Sequence, residues 1–177
     1  MSTTVAPPRV ADKIDDPYGI VELKALIAHP NRHVAQVIHG ILISHGAERV
    51  DAVDDEPSFR GVVADRAYDV IFVDEKFAAG SVFDLVRRLR RTRSIGNHRT
   101  PVVVLMTEPT GHDVLSARDA GTNEIVIKPF SSLSLSRSLG RALRPRRFVE
   151  AAAYVGPDRR IRDLPPPLGI DRRGQDG

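Results

Sequence analysis

The sequence contains no cysteine. Disulfide bonds, iron–sulfur clusters and cysteine-based zinc sites are therefore excluded. The sequence also has little excess of one sign of charge, since its formal net charge is only +3. A charge this small does not by itself indicate a nucleic-acid-binding protein. No DNA partner is expected, because too few residues follow Leu143 to form a DNA-binding domain. With 41% hydrophobic and 28% charged residues, the composition is typical of a globular protein with an ordinary core.

Long apolar segments are missing as well. No run approaches the ~18 residues that a membrane span needs. Residues 1–16 also lack the apolar segment of a secretion signal. These absences predict a cytoplasmic protein without a membrane span. At 177 residues, the chain has room for about one domain with its tails.

Short apolar runs are present instead. Four of them are continuous and rich in β-branched residues: 25–28, 70–73, 102–106 and 125–127. Strands that are buried on both faces have this composition, because helices cover each side of a parallel sheet. A fifth candidate strand, 49–53, alternates apolar with charged residues. That alternation is typical of an exposed edge strand.

Between these runs the apolar residues recur with helical spacing. The first such pattern consists of Val34, Val37, Ile38, Ile41 and Leu42. Asn31 and Ser81 are candidate N-caps, Asp54-Asp55-Glu56 opens the second helix, and Gly121 stops the fourth. Five β-α units in succession predict an α/β fold with a doubly wound (βα)5 parallel sheet and right-handed crossovers.

The same patterns divide the chain into three parts. Residues 21–144 carry the strand and helix patterns and form the expected domain. Residues 1–20 are polar, contain proline and are expected to be a mobile N-terminal arm. Residues 145–177 form an arginine- and proline-rich C-terminal tail, expected to lack regular structure because it cannot bury a core of its own.

Functional residues of an open parallel sheet lie at the carboxyl ends of its strands. Here those ends carry His29-Pro30, Asp74, Thr107 and Lys128-Pro129. Asp after the third strand, Thr after the fourth and Lys-Pro after the fifth form a specific combination. Together with Lys128-Pro129-Phe130, this order resembles the CheY-like receiver domains of two-component response regulators. The resemblance extends from about Lys24 to Leu143.

The resemblance implies a fold, a chemistry and a class of partner. The expected strand order is 2-1-3-4-5. Asp74 would be the phospho-acceptor, while Thr107 and Lys128 would contact the phosphoryl group. A cation near the acceptor neutralises the charge that develops during phosphoryl transfer. The implied function is non-enzymatic: a stand-alone phosphorelay adaptor that docks onto a histidine kinase or a downstream protein.

Several positions depart from the family pattern, and all of them bear on the magnesium-dependent phosphorylation of Asp74. His29 and Pro30 replace the two acids that hold Mg²⁺, and neither side chain supplies the oxygen ligands this ion requires. Other family positions are also changed: Glu108 stands for a small residue, Ile125 for an aromatic, and Ala78 and Val82 for proline and glycine. The sequence therefore predicts a degenerate receiver, or pseudo-receiver, without a metal or other cofactor.

Alternatives to this interpretation remain at the same site. Glu75 and Glu108 could act as substitute carboxylates and preserve phosphorylation. Alternatively, Glu108 pairs with Lys128 or Lys76 and locks the site in one state, an arrangement that requires less exact geometry than a metal site. A zinc site is disfavoured because no obvious third ligand joins the histidines. A flavin enzyme is disfavoured because residues 28–32 do not form a phosphate-binding loop.

The C-terminal tail carries a repeated motif, Gly-x-Asp-Arg-Arg, at 156–160 and 169–173. It resembles the arginine-rich tails of CheY-like proteins that bind cyclic di-GMP. Such binding is the first alternative function, because arginine forks phosphate or guanine and a tyrosine can stack on a base. The candidate residues are Tyr154, Asp158, Arg159, Arg160, Asp171, Arg172 and Arg173. A solvated tail, or one that folds back on the domain, is the other interpretation.

Overall fold

A computed structural model describes residues 22–159. Five β-α units form its main body, and a β-hairpin follows them. The strands are β1 Lys24–Ala28, β2 Arg49–Val53, β3 Val70–Asp74, β4 Val102–Thr107, β5 Glu124–Lys128, β6 Phe148–Ala151 and β7 Tyr154–Pro157. The helices are α1 Arg32–Ser44, α2 Glu56–Asp65, α3 Val82–Arg91, α4 Gly111–Ala120 and α5 Ser132–Leu143, with a 3-10 turn at Gly96–Arg99.

The main sheet is parallel, with the order β2-β1-β3-β4-β5. The predicted fold class and strand order are therefore confirmed. All five residues of β3 are buried, as expected of a central strand with helices on both sides. The predicted edge strand 49–53 is β2, which is only partly buried.

Two hydrophobic clusters fill the space on either side of the sheet. Alternate strand residues belong to opposite clusters, as Ile71 and Phe72 show. One cluster contains the apolar faces of α2, α3 and α4, and the other those of α1 and α5. This two-sided burial keeps the strands fixed and brings their carboxyl ends to one edge of the domain.

Three of the predicted helix boundaries are also confirmed. The Asn31 side chain accepts from the backbone amides of His33 and Val34, and the Ser81 hydroxyl accepts from Phe83 N. Gly121 ends α4 in the left-handed conformation, with φ 87°. These local signals were readable because they depend on residues that are close in sequence.

The C-terminal tail differs from the prediction. Residues 148–157 form an antiparallel hairpin that packs against α3 and α4, so the expectation of no regular structure is wrong for this segment. A Cβ on Gly121 would lie 2.9 Å from Val155 O, which shows how closely β7 approaches the end of α4. The hairpin needs no core of its own because it uses a surface that the domain supplies.

Arg90 and Glu150 connect the hairpin to the domain. The Glu150 carboxylate pairs with Arg93 at 2.8 Å and with Arg99 at 2.6 Å. The Arg90 guanidinium lies 5.8 Å from the centre of the Phe148 ring and is fully buried. These contacts make residues 148–157 part of the folded unit, whereas residues 1–21 and 160–177 lie outside the described part of the chain.

We expect truncation to reveal the contribution of the hairpin. A chain of residues 1–144 should still unfold cooperatively, but with a free energy of unfolding about 1.5–3 kcal/mol below that of residues 1–159, since the Phe148 and Tyr154 contacts are lost. Urea unfolding followed by circular dichroism measures the difference. Equal midpoints would show that the hairpin does not stabilise the domain.

Candidate functional site

The carboxyl ends of four strands bring the predicted site residues together. Asp74 ends β3, Thr107 ends β4 and Lys128 ends β5, while His29 directly follows β1. The strand register places Thr107 beside Lys128. The sequence-based expectation that these residues share one edge of the sheet is confirmed.

Asp74 is the centre of this site and is 1% exposed. Its Oδ2 accepts a hydrogen bond from Lys128 Nζ at 2.6 Å and lies 3.2 Å from His29 Nε2. Its Oδ1 accepts from the backbone amide of Lys76 at 2.9 Å. Both carboxylate oxygens therefore have partners from the protein itself.

The protonation state of His29 follows from its surroundings. The side chain is 5% exposed, and its Nδ1 accepts a hydrogen bond from Asn31 N at 2.9 Å. A ring nitrogen that accepts carries no proton, so the imidazole is neutral with its proton on Nε2. This proton faces Asp74, although the contact is too poorly aligned to be a well-formed hydrogen bond. His29 thus places the Nε2 proton next to Asp74 without a well-formed hydrogen bond.

The second acid of the site is Glu75. Its Oε1 lies 3.2 Å from Lys128 Nζ and accepts from Thr107 N at 2.9 Å. Glu108, by contrast, is exposed and has a positive φ of 48°. Within the described residues, the carboxylates that pair with Lys128 are Asp74 and Glu75, and Glu108 forms no ion pair with Lys128 or Lys76. The expected pairing of Glu108 is therefore wrong. The sequence indicates Glu75 only as a substitute metal ligand and does not reveal its ion pair with Lys128.

The contacts also set the acidities of the two central groups. Burial alone would raise the pKa of Asp74, but the His29 and Lys128 contacts and the Lys76 amide hold it well below its ordinary value. Burial would lower the pKa of Lys128, whereas Asp74 and Glu75 together raise it. The pair is therefore ionised at neutral pH.

The family pattern implies a magnesium ion at this position, but the side chains present do not form a suitable set of metal ligands. The acids of the pattern are replaced by an imidazole and a proline, and Mg²⁺ requires oxygen ligands in octahedral geometry. Both oxygens of Asp74 already accept from protein donors. Across residues 22–159, no group of three or more His, Cys, Asp or Glu side chains is arranged to hold a metal ion.

Three other substituted positions, Ala78, Val82 and Ile125, serve packing. Ile125 packs against the core cluster on the α4 side, and Ala78 and Val82 are buried members of that cluster. Thr107 is exposed at the end of β4. The loop after Asp74 is therefore fixed by apolar contacts.

The described tail residues lie away from this site. The Arg159 guanidinium stacks on the Tyr154 ring, 3.6 Å from its centre, and pairs with Asp119 at 3.0 Å. The Tyr154 hydroxyl donates to Pro157 O at 2.6 Å. Asp158 follows β7 directly. The remaining candidates, Arg160, Asp171, Arg172 and Arg173, lie outside the described residues, so cyclic di-GMP binding stays a prediction.

Arg90 was not singled out from the sequence. Its guanidinium donates to Gly121 O, His98 O, Thr100 O and Asn123 Oδ1 at distances of 2.7–3.0 Å. Burial lowers its pKa to about 10, so it is charged at neutral pH. A signal does exist, because Arg90 continues the i, i+4 series of Val82 and Val86. An arginine on the apolar stripe of a helix indicates a buried polar network.

The chain is similar in sequence to known signalling proteins. Curated relatives include the uncharacterized transcriptional regulatory protein YkoG of Bacillus subtilis, 28% identical over 128 residues that cover 67% of this chain and 50% of YkoG. The chain thus spans about half the length of that relative. No helix within residues 22–159 is long and apolar enough to cross a bilayer.

Two solved structures are similar in fold. Chemotaxis response regulator CheY4 of Vibrio cholerae has a TM-score of 0.63 at 22% identity, covering 70% of this chain and all of CheY4. The receiver domain of sensor histidine kinase PA1611 of Pseudomonas aeruginosa has a TM-score of 0.60 at 25% identity, covering 70% of this chain and 98% of that domain. Residues 25–139 match the response regulator receiver domain family. The chain therefore belongs to the receiver domain family of two-component signalling.

Proposed function

We propose that this receiver domain is a non-enzymatic docking module whose acceptor site is held by Lys128 and His29 and does not depend on magnesium. It would act in the cytoplasm by binding a signalling protein, either a histidine kinase or a downstream target. The observation that carries the proposal is the position of Asp74 Oδ2, 2.6 Å from Lys128 Nζ and 3.2 Å from His29 Nε2.

Three features of the site support this proposal. Asp74 is 1% exposed, so a phosphoryl donor has little access to its oxygens. A neutral imidazole supplies a proton where a receiver of the usual pattern presents carboxylates to the metal. Lys128 is shared between Asp74 and Glu75, which neutralises the charges of the site without an ion. The carboxylates of Asp74 and Glu75 are thus already paired with a cation from the protein.

A contrast with the PA1611 receiver domain sharpens the argument. That structure has a magnesium ion coordinated in its active-site cleft. In this chain the corresponding edge of the sheet presents His29 and Pro30, and the former carries its proton on the nitrogen that faces Asp74. A protonated nitrogen cannot ligate a cation. Ligation of a metal by this nitrogen would require His29 to move its proton to Nδ1 and lose the bond from Asn31 N.

Titration with Mg²⁺ and beryllofluoride, a phosphoryl mimic, tests the proposal. We expect no saturable NMR shifts of Asp74, Thr107 or Lys128 at millimolar magnesium, because Asp74 and Glu75 are both paired with Lys128 and form a poor ligand set. The double variant His29→Asp, Pro30→Asp restores the acids and should bind the ion. Saturable shifts in the wild-type protein would contradict the proposal and favour Glu75 or Glu108 as a substitute ligand. Binding by neither protein would mean that further residues block the site.

A further inference from the structure

Glu75 directly follows the acceptor and lies on the outer side of the site. Its backbone N donates to Leu105 O at 2.9 Å, which extends the pairing of β3 with β4 by one residue. This bond holds the Glu75 side chain beside the end of β4, where the side chain is 17% exposed. Solvent and small solutes therefore reach this carboxylate, whereas Asp74 is buried.

One oxygen of Glu75 accepts from the ends of two strands. Thr107 N, at the end of β4, donates to Glu75 Oε1 at 2.9 Å. Lys128 Nζ, at the end of β5, lies 3.2 Å from the same oxygen. A backbone amide and an ammonium that converge on one oxygen form an anion-binding site, because hydrogen bonds to a charged acceptor are stronger than neutral ones. In this chain the anion is a side chain of the protein itself.

The charges of the site disfavour a second anion. Among the described residues, the side chains in contact with the two carboxylates are Lys128 and His29, and the imidazole is neutral. One ammonium against two carboxylates leaves an excess of negative charge. A further anion at Lys128 would be repelled by both Asp74 and Glu75. Removing Glu75 would balance the charges and leave Thr107 N without its acceptor.

We infer that Glu75 is an internal ligand, whose carboxylate fills the anion site of Lys128 and Thr107 and joins the ends of β4 and β5 without an external group. Any anion that contacts Lys128, a phosphoryl group on Asp74 included, would have to displace Glu75 first. The inference rests on the paired acceptor site of the proposed function and adds a means of regulating it, the displacement of Glu75. It does not depend on whether magnesium binds.

The test uses the full chain without magnesium, and acetate is the probe because it carries the same group as the Glu75 side chain. In Glu75→Ala near neutral pH, acetate should shift the Thr107 amide resonance saturably toward its wild-type position. Its affinity should be roughly tenfold or more above that for the wild-type protein, whose site is filled. Acetamide has the same shape without the charge and should give no saturable shift. Glu75→Ser leaves similar space and replaces the alanine variant if that variant does not fold.

Matched variants separate an occupied site from a general effect of charge. Glu108→Ala removes the same side chain from the residue after Thr107, where it is exposed, and should not create acetate binding. Glu75→Gln keeps an oxygen for Thr107 N but loses the charge, so acetate should bind roughly fivefold or more weakly than in Glu75→Ala. Glu75→Ala combined with Lys128→Met also lacks the ammonium and should not bind acetate.

Three results would overturn the inference. Equal acetate affinity of the wild-type protein and Glu75→Ala would show that Glu75 does not fill the site. No saturable binding to folded Glu75→Ala would show that Lys128 and Thr107 form no anion site. An equal response to acetamide would show that the charge of the ligand is irrelevant. The acetate titration reports on Glu75, whereas the magnesium titration reports on Asp74, so either proposal can fail without the other.

Discussion

Replacing Arg90 by methionine is expected to lower the free energy of unfolding by on the order of 3–5 kcal/mol. Methionine keeps much of the apolar volume but supplies no donor. Gly121 O, His98 O, Thr100 O and Asn123 Oδ1 would each lose a hydrogen bond inside the protein. A buried acceptor without a donor costs about 1–3 kcal/mol, and water can reach only some of these groups after relaxation.

The same substitution should loosen the hairpin. Arg90 contacts Phe148 through its guanidinium, and Gly121, whose carbonyl it holds, lies against Val155 and Gly156 of β7. We therefore expect faster amide hydrogen exchange in residues 148–157 than in the wild-type protein. Arg91→Met is the matched control, because Arg91 is the next residue of α3 and is exposed. Equal stability of the two variants would show that the Arg90 network contributes little.

Replacing Lys128 by methionine should lower the free energy of unfolding by about 2–3 kcal/mol near neutral pH. The substitution leaves Asp74 buried and ionised, with the Lys76 amide as its donor and the His29 imidazole nearby. It also leaves Glu75 beside Asp74 without a cation. The expected loss is below that of a fully buried pair because Lys128 is 21% exposed. Lys24→Met is the control, since it breaks a surface pair with Glu48 whose members are 40% and 50% exposed. That change should cost less than about 1 kcal/mol.

The effect of Lys128 should depend on pH. The pKa of Asp74 in the folded protein is depressed, so its contribution is fully present above the unfolded-state pKa of about 3.9. The contribution is lost as the pH falls through the lower folded-state pKa. The stability difference between wild type and Lys128→Met should therefore be largest above about pH 5 and shrink below about pH 4. A difference that stays constant in urea unfolding across this range would mean that Lys128 acts through packing.

The acceptor site was largely readable because the positions of its residues follow from strand order. A polar residue directly after a buried parallel strand has to lie at the carboxyl edge, so Asp74, Thr107 and Lys128 were found from the sequence. Hydrogen-bond partners at that edge were not readable in the same way. Glu75 and Glu108 each follow a site residue in sequence, yet only Glu75 pairs with Lys128. The choice depends on backbone conformation, since Glu108 has a positive φ.

The role of His29 also depended on the fold. The sequence showed that an imidazole replaces an acid, which argues against a magnesium ligand. Only the position of Asn31 N, which donates to Nδ1, establishes where the ring proton lies and that it faces Asp74. A tautomer is decided by the partner of the other ring nitrogen, and that partner is a matter of local geometry.

The sequence by itself determined the α/β class, the strand and helix positions and the edge of the sheet that carries the site. These properties follow from periodicity, capping and chain order, which are local or nearly local. The tertiary structure decided where the C-terminal segment goes. Residues 148–157 are too few to be stable as an isolated two-stranded hairpin. They form one here because Arg90, Gly121 and the surface of α3 and α4 provide the contacts. Such contacts join residues far apart in the chain, and no local pattern encodes them.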